Sequence, residues 1–176
     1  MRSLMLFSLF FSFSLFAHPE KLTTITGKNI NLKTINHSFA GSIKKRMVQG
    51  FKKSGKFESE ISILEKDQKF SATFKTLENK SFGGDLSLPG KNGQLISHSI
   101  RLTKFSREEN EYLFNFDGKS VVVSVKAEDF KGGHYINPTY SMNYKGEDIS
   151  FKLKNGEACY GYSAHLIAMI MGVYIF

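Results

Sequence analysis

The residue types nearest to chemistry lie together in one short stretch, Cys159-Tyr-Gly-Tyr-Ser163-Ala-His165. A cysteine close to a histidine suits a thiolate–imidazolium nucleophile, in which the imidazole takes the thiol proton. Cys159 and His165 are therefore the candidate catalytic residues. The same stretch approaches a nucleophile elbow, Gly161-Tyr-Ser163-Ala-His165, with His165 where a second glycine belongs. That elbow needs a strand-to-helix turn on a parallel sheet, and no βαβ pattern precedes it. The plainer reading is structural. The stretch borders the most apolar segment of the chain, where a lone free cysteine is a small core residue. Catalysis is accordingly not expected, and a cysteine-dependent enzyme ranks last among the readings.

Metal chemistry finds no local support. The histidines are His18, His37, His98, His134 and His165, and no two have the spacing of a zinc-binding pair. The acidic residues are scattered and form no calcium loop. Glu58 and Glu60 share a strand face, but with Lys56 and Lys66 nearby they read as solvated surface. No metal or cofactor is expected.

Two other segments invite binding. Gly132-Gly133-His134-Tyr135, followed by Asn137-Pro138, is a turn-prone stretch with a polar–aromatic tip. Loops on rigid β scaffolds often carry function, so His134, Tyr135 and Asn137 are the candidate ligand or partner loop. Lys44, Lys45, Arg46, Lys52 and Lys53 concentrate positive charge around Met47, Val48 and Phe51 and are candidates for contact with an anionic surface. The whole chain carries 24 Lys and Arg against 16 Asp and Glu, a formal charge of +8. The excess is mostly lysine, whereas bidentate phosphate recognition favours arginine, so nucleic acid is not an expected partner. An apolar small molecule, an anionic lipid and a cell-envelope polymer remain as partner classes. The chain has no tryptophan, the commonest aromatic for stacking on sugars.

The elements that must position these residues are strands. One face of each run collects mostly apolar residues, alternating with polar ones, at Phe57, Ser59, Ile61, Ile63; Phe70, Ala72, Phe74; Ile96, His98, Ile100, Leu102; Tyr112, Phe114, Phe116; Val121, Val123, Val125; Tyr140, Met142, Tyr144; and Ile149, Phe151, Leu153. A period of two is the mark of half-buried strands. Asp117-Gly118 between two such runs signals a hairpin, because a type I′ turn needs positive φ at both central residues. Turns at Glu65–Gln68 and Lys145–Asp148 add two more hairpins. The fold class is therefore all-β, mainly an antiparallel meander closed as a barrel or stacked as a sandwich, with one or two short helices.

The helices are placed at Ser42–Gly55 and at the C-terminus. In the first, Ile43, Met47, Val48 and Phe51 have helical spacing, Ser42 suits an N-cap and Gly55 a stop. Ile43, Met47 and Phe51 also share parity, which leaves a strand open. From Ser163 to Phe176 the side chains are uncharged apart from His165, and a buried helix is preferred over a buried strand. The segment is short for a membrane span, which needs roughly 20 residues.

At the other end, Arg2, an apolar run from Leu4 to Phe16 and Ala17 have the layout of a secretory signal peptide cut after Ala17. Residues 18–176 then form a single exported domain, periplasmic or secreted. Cys159 is the only cysteine, so packing alone must hold it together. The function expected is that of an exported, non-catalytic β-barrel or β-sandwich binding an apolar ligand or an envelope or surface partner. A small outer-membrane barrel is the alternative: export and the terminal Phe176 favour it, while runs shorter than about 9–11 residues oppose it.

Overall fold

The computed structural model describes residues 23–53, 56–77, 81–90 and 92–176. The signal-peptide reading of Met1–Ala17, and Ser54 and Gly55, lie outside them. Fifteen strands and a C-terminal helix follow in order among the described residues: β1 (Thr23–Gly27), β2 (Ile30–Ile35), β3 (Ser38–Ile43), β4 (Arg46–Lys52), β5 (Glu58–Glu65), β6 (Gln68–Thr76), β7 (Phe82–Pro89), β8 (Leu95–Ser106), β9 (Glu111–Phe116), β10 (Lys119–Lys126), β11 (Asp129–Lys131), β12 (His134–Ile136), β13 (Thr139–Tyr144), β14 (Glu147–Lys154), β15 (Glu157–Cys159) and α1 (Tyr160–Leu166). The helix continues through a π-helical segment, Ile167–Met171, into α2 (Gly172–Ile175).

Twelve strands close into an antiparallel barrel, β1-β14-β13-β10-β9-β8-β7-β6-β5-β4-β3-β2, while β11, β12 and β15 form a small separate sheet. The order is a meander throughout except where β10 passes to β13 over β11 and β12. Two-residue turns explain why. Asn36–His37, Lys66–Asp67, Asp117–Gly118 and Lys145–Gly146 all have positive φ at both residues, the backbone whose twist matches that of the flanking strands. Each joins directly opposed residues, as in Phe116↔Lys119 and Tyr144↔Glu147.

The alternating apolar residues point inward. Ile25, Leu32, Ile61, Ile63, Phe74, Phe114, Phe116, Val123, Tyr140 and Phe151 are all fully or almost fully buried. The outward positions of β6, β10 and β14 carry Lys69, Thr73, Lys75, Ser120, Ser124, Ser150 and Lys152. In β8 the alternation breaks. Its register with β9 shifts between Leu102 and Lys104, and this bulge lets both Leu102 and Phe105 pack on the core despite their odd spacing.

A barrel of this strand number encloses more space than its own side chains fill. The C-terminal helix fills it. The chain leaves β14, turns at Asn155–Gly156, makes β15 and runs down the barrel axis for about 24 Å. Every residue from Tyr162 to Tyr174 is buried. This explains a segment without charge or alternation: all its faces meet the inside of the wall.

One expected helix is absent. Ser42–Lys53 is strand, turn and strand: β3 ends at Ile43, Lys44–Lys45 turn, and β4 runs from Arg46 to Lys52. The pairings Ile43↔Arg46, Met47↔Leu64 and Val48↔Ile63 decide the matter, and the intervening turn puts Ile43 and Met47 on opposite faces despite their shared parity. Val48 faces the core, whereas Met47 is 56 % exposed. Gly50 sits where the Phe39 ring crosses the neighbouring strand, and a Cβ there would lie 2.4 Å from Phe39 Cζ. Residue spacing over so short a stretch cannot separate periods of 3.6 and 2; the cross-strand partners can.

Candidate functional site

The barrel has two rims. One is the rim where the helix enters, carrying Asn36–His37, the β4–β5 connection, β11, β12 and β15. The other, the basal rim, carries Lys44–Lys45, Lys66–Asp67, Asp117–Gly118, Lys145–Gly146 and the end of the helix. The sequence-derived candidates divide between them.

Cys159 and His165 are not brought together as a dyad. Cys159 caps α1, its sulfur accepting from Tyr162 N at 3.4 Å. His165 lies further along the helix inside the barrel with no exposed surface, its Nδ1 2.7 Å from Ser59 Oγ. A hydroxyl–imidazole pair has the composition of a nucleophile and its base. Here Ser59 is also fully buried, and the Phe57 and Phe82 rings pack edge-on with the imidazole, centroid to centroid 4.6 and 4.5 Å. Among the described residues His165 Nε2 has no hydrogen-bond partner, so no third group there orients the ring. Burial, with Lys52 adding repulsion, pushes the imidazole down to about 4. The pair is a neutral polar pin on an apolar helix. Two further pins fix the helix start: Tyr140 Oη lies 2.8 Å from Ser163 Oγ, and Tyr112 Oη donates to Tyr160 O at 2.9 Å.

The loop candidates separate as well. Tyr135 is buried, donating to Asn110 Oδ1 at 2.9 Å, and His134 Nδ1 lies 3.0 Å from Gly132 O. Asn137 borders a cavity. Its Nδ2 donates to Glu128 and its Oδ1 accepts from Gly156 N, which ties β12 to the start of β15. The cavity is an open cleft of about 520 Å³ at the entry rim, walled by Thr34, Asn36 and His37 on one side and by Asn137, Asn155 and Glu157 on another, with Tyr162 also in its lining. Tyr162 Oη is buried; the Thr34 hydroxyl lowers its pKa, but burial dominates and pushes the phenol up to about 12.

The basic candidates are split by the length of β4. Arg46 to Lys52 spans about 20 Å of strand, so no single basic helix face exists. Lys52 Nζ donates to Lys56 O, and Lys53 pairs with Glu58 at the entry rim. That pairing raises the lysine and lowers the carboxyl. At the basal rim Lys44, Lys45 and Arg46 line a pocket of about 450 Å³ with Asn29, Glu65, Tyr174 and Phe176. Arg46 donates to Glu65 Oε2 at 2.7 Å, to Val173 O at 3.1 Å and to Phe176 O at 3.3 Å. It thus ties the β3–β4 hairpin to the carbonyl end of the helix, where a cation is favoured. Lys44 Nζ stands 4.2 Å from the centre of the Tyr174 ring, and Tyr174 Oη donates to Glu147.

Sequence reading missed the aromatic half of this pocket, because Tyr174 and Phe176 reach it only once the helix has threaded the barrel. It also missed His98 stacked on Phe176 at 3.9 Å, with Nδ1 2.7 Å from Asp117 Oδ2. No family model matches the chain, and no match was found among curated proteins or solved structures.

Proposed function

We propose that the chain is an exported, non-catalytic binding module that takes an anionic amphiphile of the cell envelope at its basal rim. The observation that carries this reading is the meeting of Lys44, Lys45 and Arg46 with Tyr174 and Phe176 around one open pocket. Aromatic walls suit an acyl or other apolar part, and a cationic lip suits a phosphate or carboxylate head. Arg46 is committed to Glu65 and the helix end, so Lys45 is the residue assigned to the head. An apolar ligand inside the barrel is not part of the proposal, since the helix occupies that space.

The outer-membrane alternative is not favoured. Lipid-spanning barrels are apolar outside, whereas here the outward positions of β6, β10 and β14 are rich in lysine, serine and threonine. The cysteine-enzyme alternative is not favoured either, because Cys159 caps a helix and His165 is sealed from solvent.

Calorimetric titration with dihexanoyl phosphatidic acid and with dihexanoyl phosphatidylcholine tests the reading. Saturable binding of the anionic lipid, weakened by salt and by about tenfold in Lys45→Glu, is the expected result. Equal affinity for the two lipids, or binding indifferent to Lys45→Glu, would refute it. N-terminal sequencing of the chain recovered outside the cytoplasm tests export, which requires a start at His18.

A further inference from the structure

The basal rim carries more than its pocket. β7 and β8 meet there in a hairpin, with Pro89 opposite Leu95 and Gly90 N donating to Gln94 O. On the other side of β8, Phe116 at the end of β9 stands opposite Ile100, and Asp117 N donates to Ser99 O. Leu95–His98 therefore run on past the Asp117–Gly118 turn, and the tip lies about 13 Å along the strand from Ser99. Ile100 points inward and is buried, so by alternation Leu95 points outward. It is 63 % exposed, the most of any large apolar side chain among the described residues, and Ile96 beside it is exposed too. On the neighbouring wall Met47 and Leu64 are directly opposed and both exposed, with Lys69 opposite Leu64. This end of the outer wall thus presents apolar tips, whereas the outward positions of β6, β10 and β14 are polar.

The same rim is cationic. Lys28, Lys44, Lys45, Lys66, Lys69 and Lys119 are exposed, and among the described residues none of them is in a salt bridge. Glu65 and Asp117 pair with Arg46 and His98, which leaves Asp67, Glu147 and Asp148 in the turns against these lysines. The entry rim differs. Phe57 and Phe130 are exposed there, but Glu108, Glu109, Asp129 and Glu157 stand on that rim, and Glu58 neutralises Lys53. An anionic surface is therefore drawn to one end of the barrel only. Exposed apolar tips set among lysines are the equipment of a protein that lies on a membrane: the tips enter the headgroup–acyl boundary and the ammonium groups meet anionic headgroups.

We propose that the basal rim docks on an anionic lipid bilayer, with the Leu95–Ile96 tip inserted and Lys66 and Lys69 against the headgroups, so that the basal pocket takes its amphiphile directly from the membrane. That last step rests on the pocket reading given above; the docking itself stands on the apolar tip and the lysines. The polar wall limits the depth, so the barrel sits on the bilayer and does not cross it.

The test is sedimentation of the purified chain with vesicles of phosphatidylcholine alone and of equimolar phosphatidylcholine and phosphatidylglycerol. Binding is expected to the anionic vesicles only and to fall with salt. Lys66→Glu combined with Lys69→Glu is expected to weaken it by about 25-fold or more, at about fivefold for each lysine lost. The chain has no tryptophan, so Leu95→Trp places a single fluorophore at the tip and Phe130→Trp one at the entry rim. On anionic vesicles the first is expected to shift to the blue and to be quenched by lipids brominated along the acyl chain, and the second to do neither. Equal binding to both vesicles, a shift of Phe130→Trp in place of Leu95→Trp, or bound chain with Leu95→Trp unshifted would each overturn the proposal. Leu95→Ser, outside the pocket lining, is expected to weaken vesicle binding and leave dihexanoyl phosphatidic acid binding unchanged. If the soluble lipid binds and the vesicles do not, docking fails and the pocket reading stands. If the vesicles bind with the Leu95→Trp shift and the soluble lipid does not, the pocket reading fails and docking stands.

Discussion

Acid should loosen this barrel through His165. The imidazole is fully buried, and its folded pKa of about 4 lies below the 6.5 of an ordinary histidine. The charged form is therefore disfavoured in the fold, and the unfolded chain binds the extra proton between these two values. Stability is complete above pH 6.5, falls as pH drops toward 4 and then levels off. At about 1.36 kcal/mol per pH unit the full loss is about 3 kcal/mol, and between pH 7.5 and pH 5 it is about 2 kcal/mol. Glu58 and Glu128 have lowered values, so their contributions fade only below about pH 4.5. His37 is lowered too and acts in the same direction, but it sits on the exposed entry-rim turn. The assay is urea unfolding at pH 7.5, 6 and 5 of the parent and of His165→Gln, whose amide can still meet Ser59 Oγ but does not titrate. The parent should lose about 2 kcal/mol more than the variant across this range. Equal losses would show that His165 is hydrated or already charged in the fold, and would refute the reasoning.

Other substitutions probe the rest of the architecture. Ile170→Ala, on the buried helix, should cost about 2–5 kcal/mol in chemical unfolding, because the surrounding wall cannot collapse into the space. Gly50→Ala should destabilise by about 1–3 kcal/mol, since its Cβ would strike the Phe39 ring in the core; a neutral result would mean that the ring moves freely. Arg46→Ala should cost about 1.5–3 kcal/mol and, by hydrogen exchange, release the last helical turn before the barrel strands, because it removes the donors to Glu65, Val173 and Phe176. Cys159→Ser should be neutral or stabilising by a few tenths of a kcal/mol, as serine is a better N-cap; a large loss of stability would count against a purely capping role.

Much of the wall was legible residue by residue. Tyr112, Phe114, Phe116 and Val121, Val123, Val125 announce their strands because one face of each is wet and the other dry, and Asp117-Gly118 announces the turn between them. Legibility failed where that contrast is blurred. In β3 and β4, Gly41 and Gly50 replace inward side chains, so the apolar spacing read as well for a helix. The Leu102–Lys104 bulge in β8 conceals a change of parity that only the β9 register reveals. The candidate sites were less legible still. Asn137 was identified and does border a cleft, yet Asn36, His37 and Tyr162, which meet it there, come from turns and helix with no shared motif.

The amino-acid order alone determined the local units: strands, two-residue turns, a meander and an uncharged C-terminal segment whose all-round apolarity requires burial. These rest on contacts between near neighbours and on the contrast between water and core. The tertiary structure decided how the units close and what they enclose. Barrel closure needs β1 to find β14, and the helix finds its place only in the lumen that closure creates. Whether Cys159 meets His165, whether five basic residues form one patch or two, and which aromatics stand beside them depend on those long-range pairings. Sequence spacing carries no record of distances across a barrel.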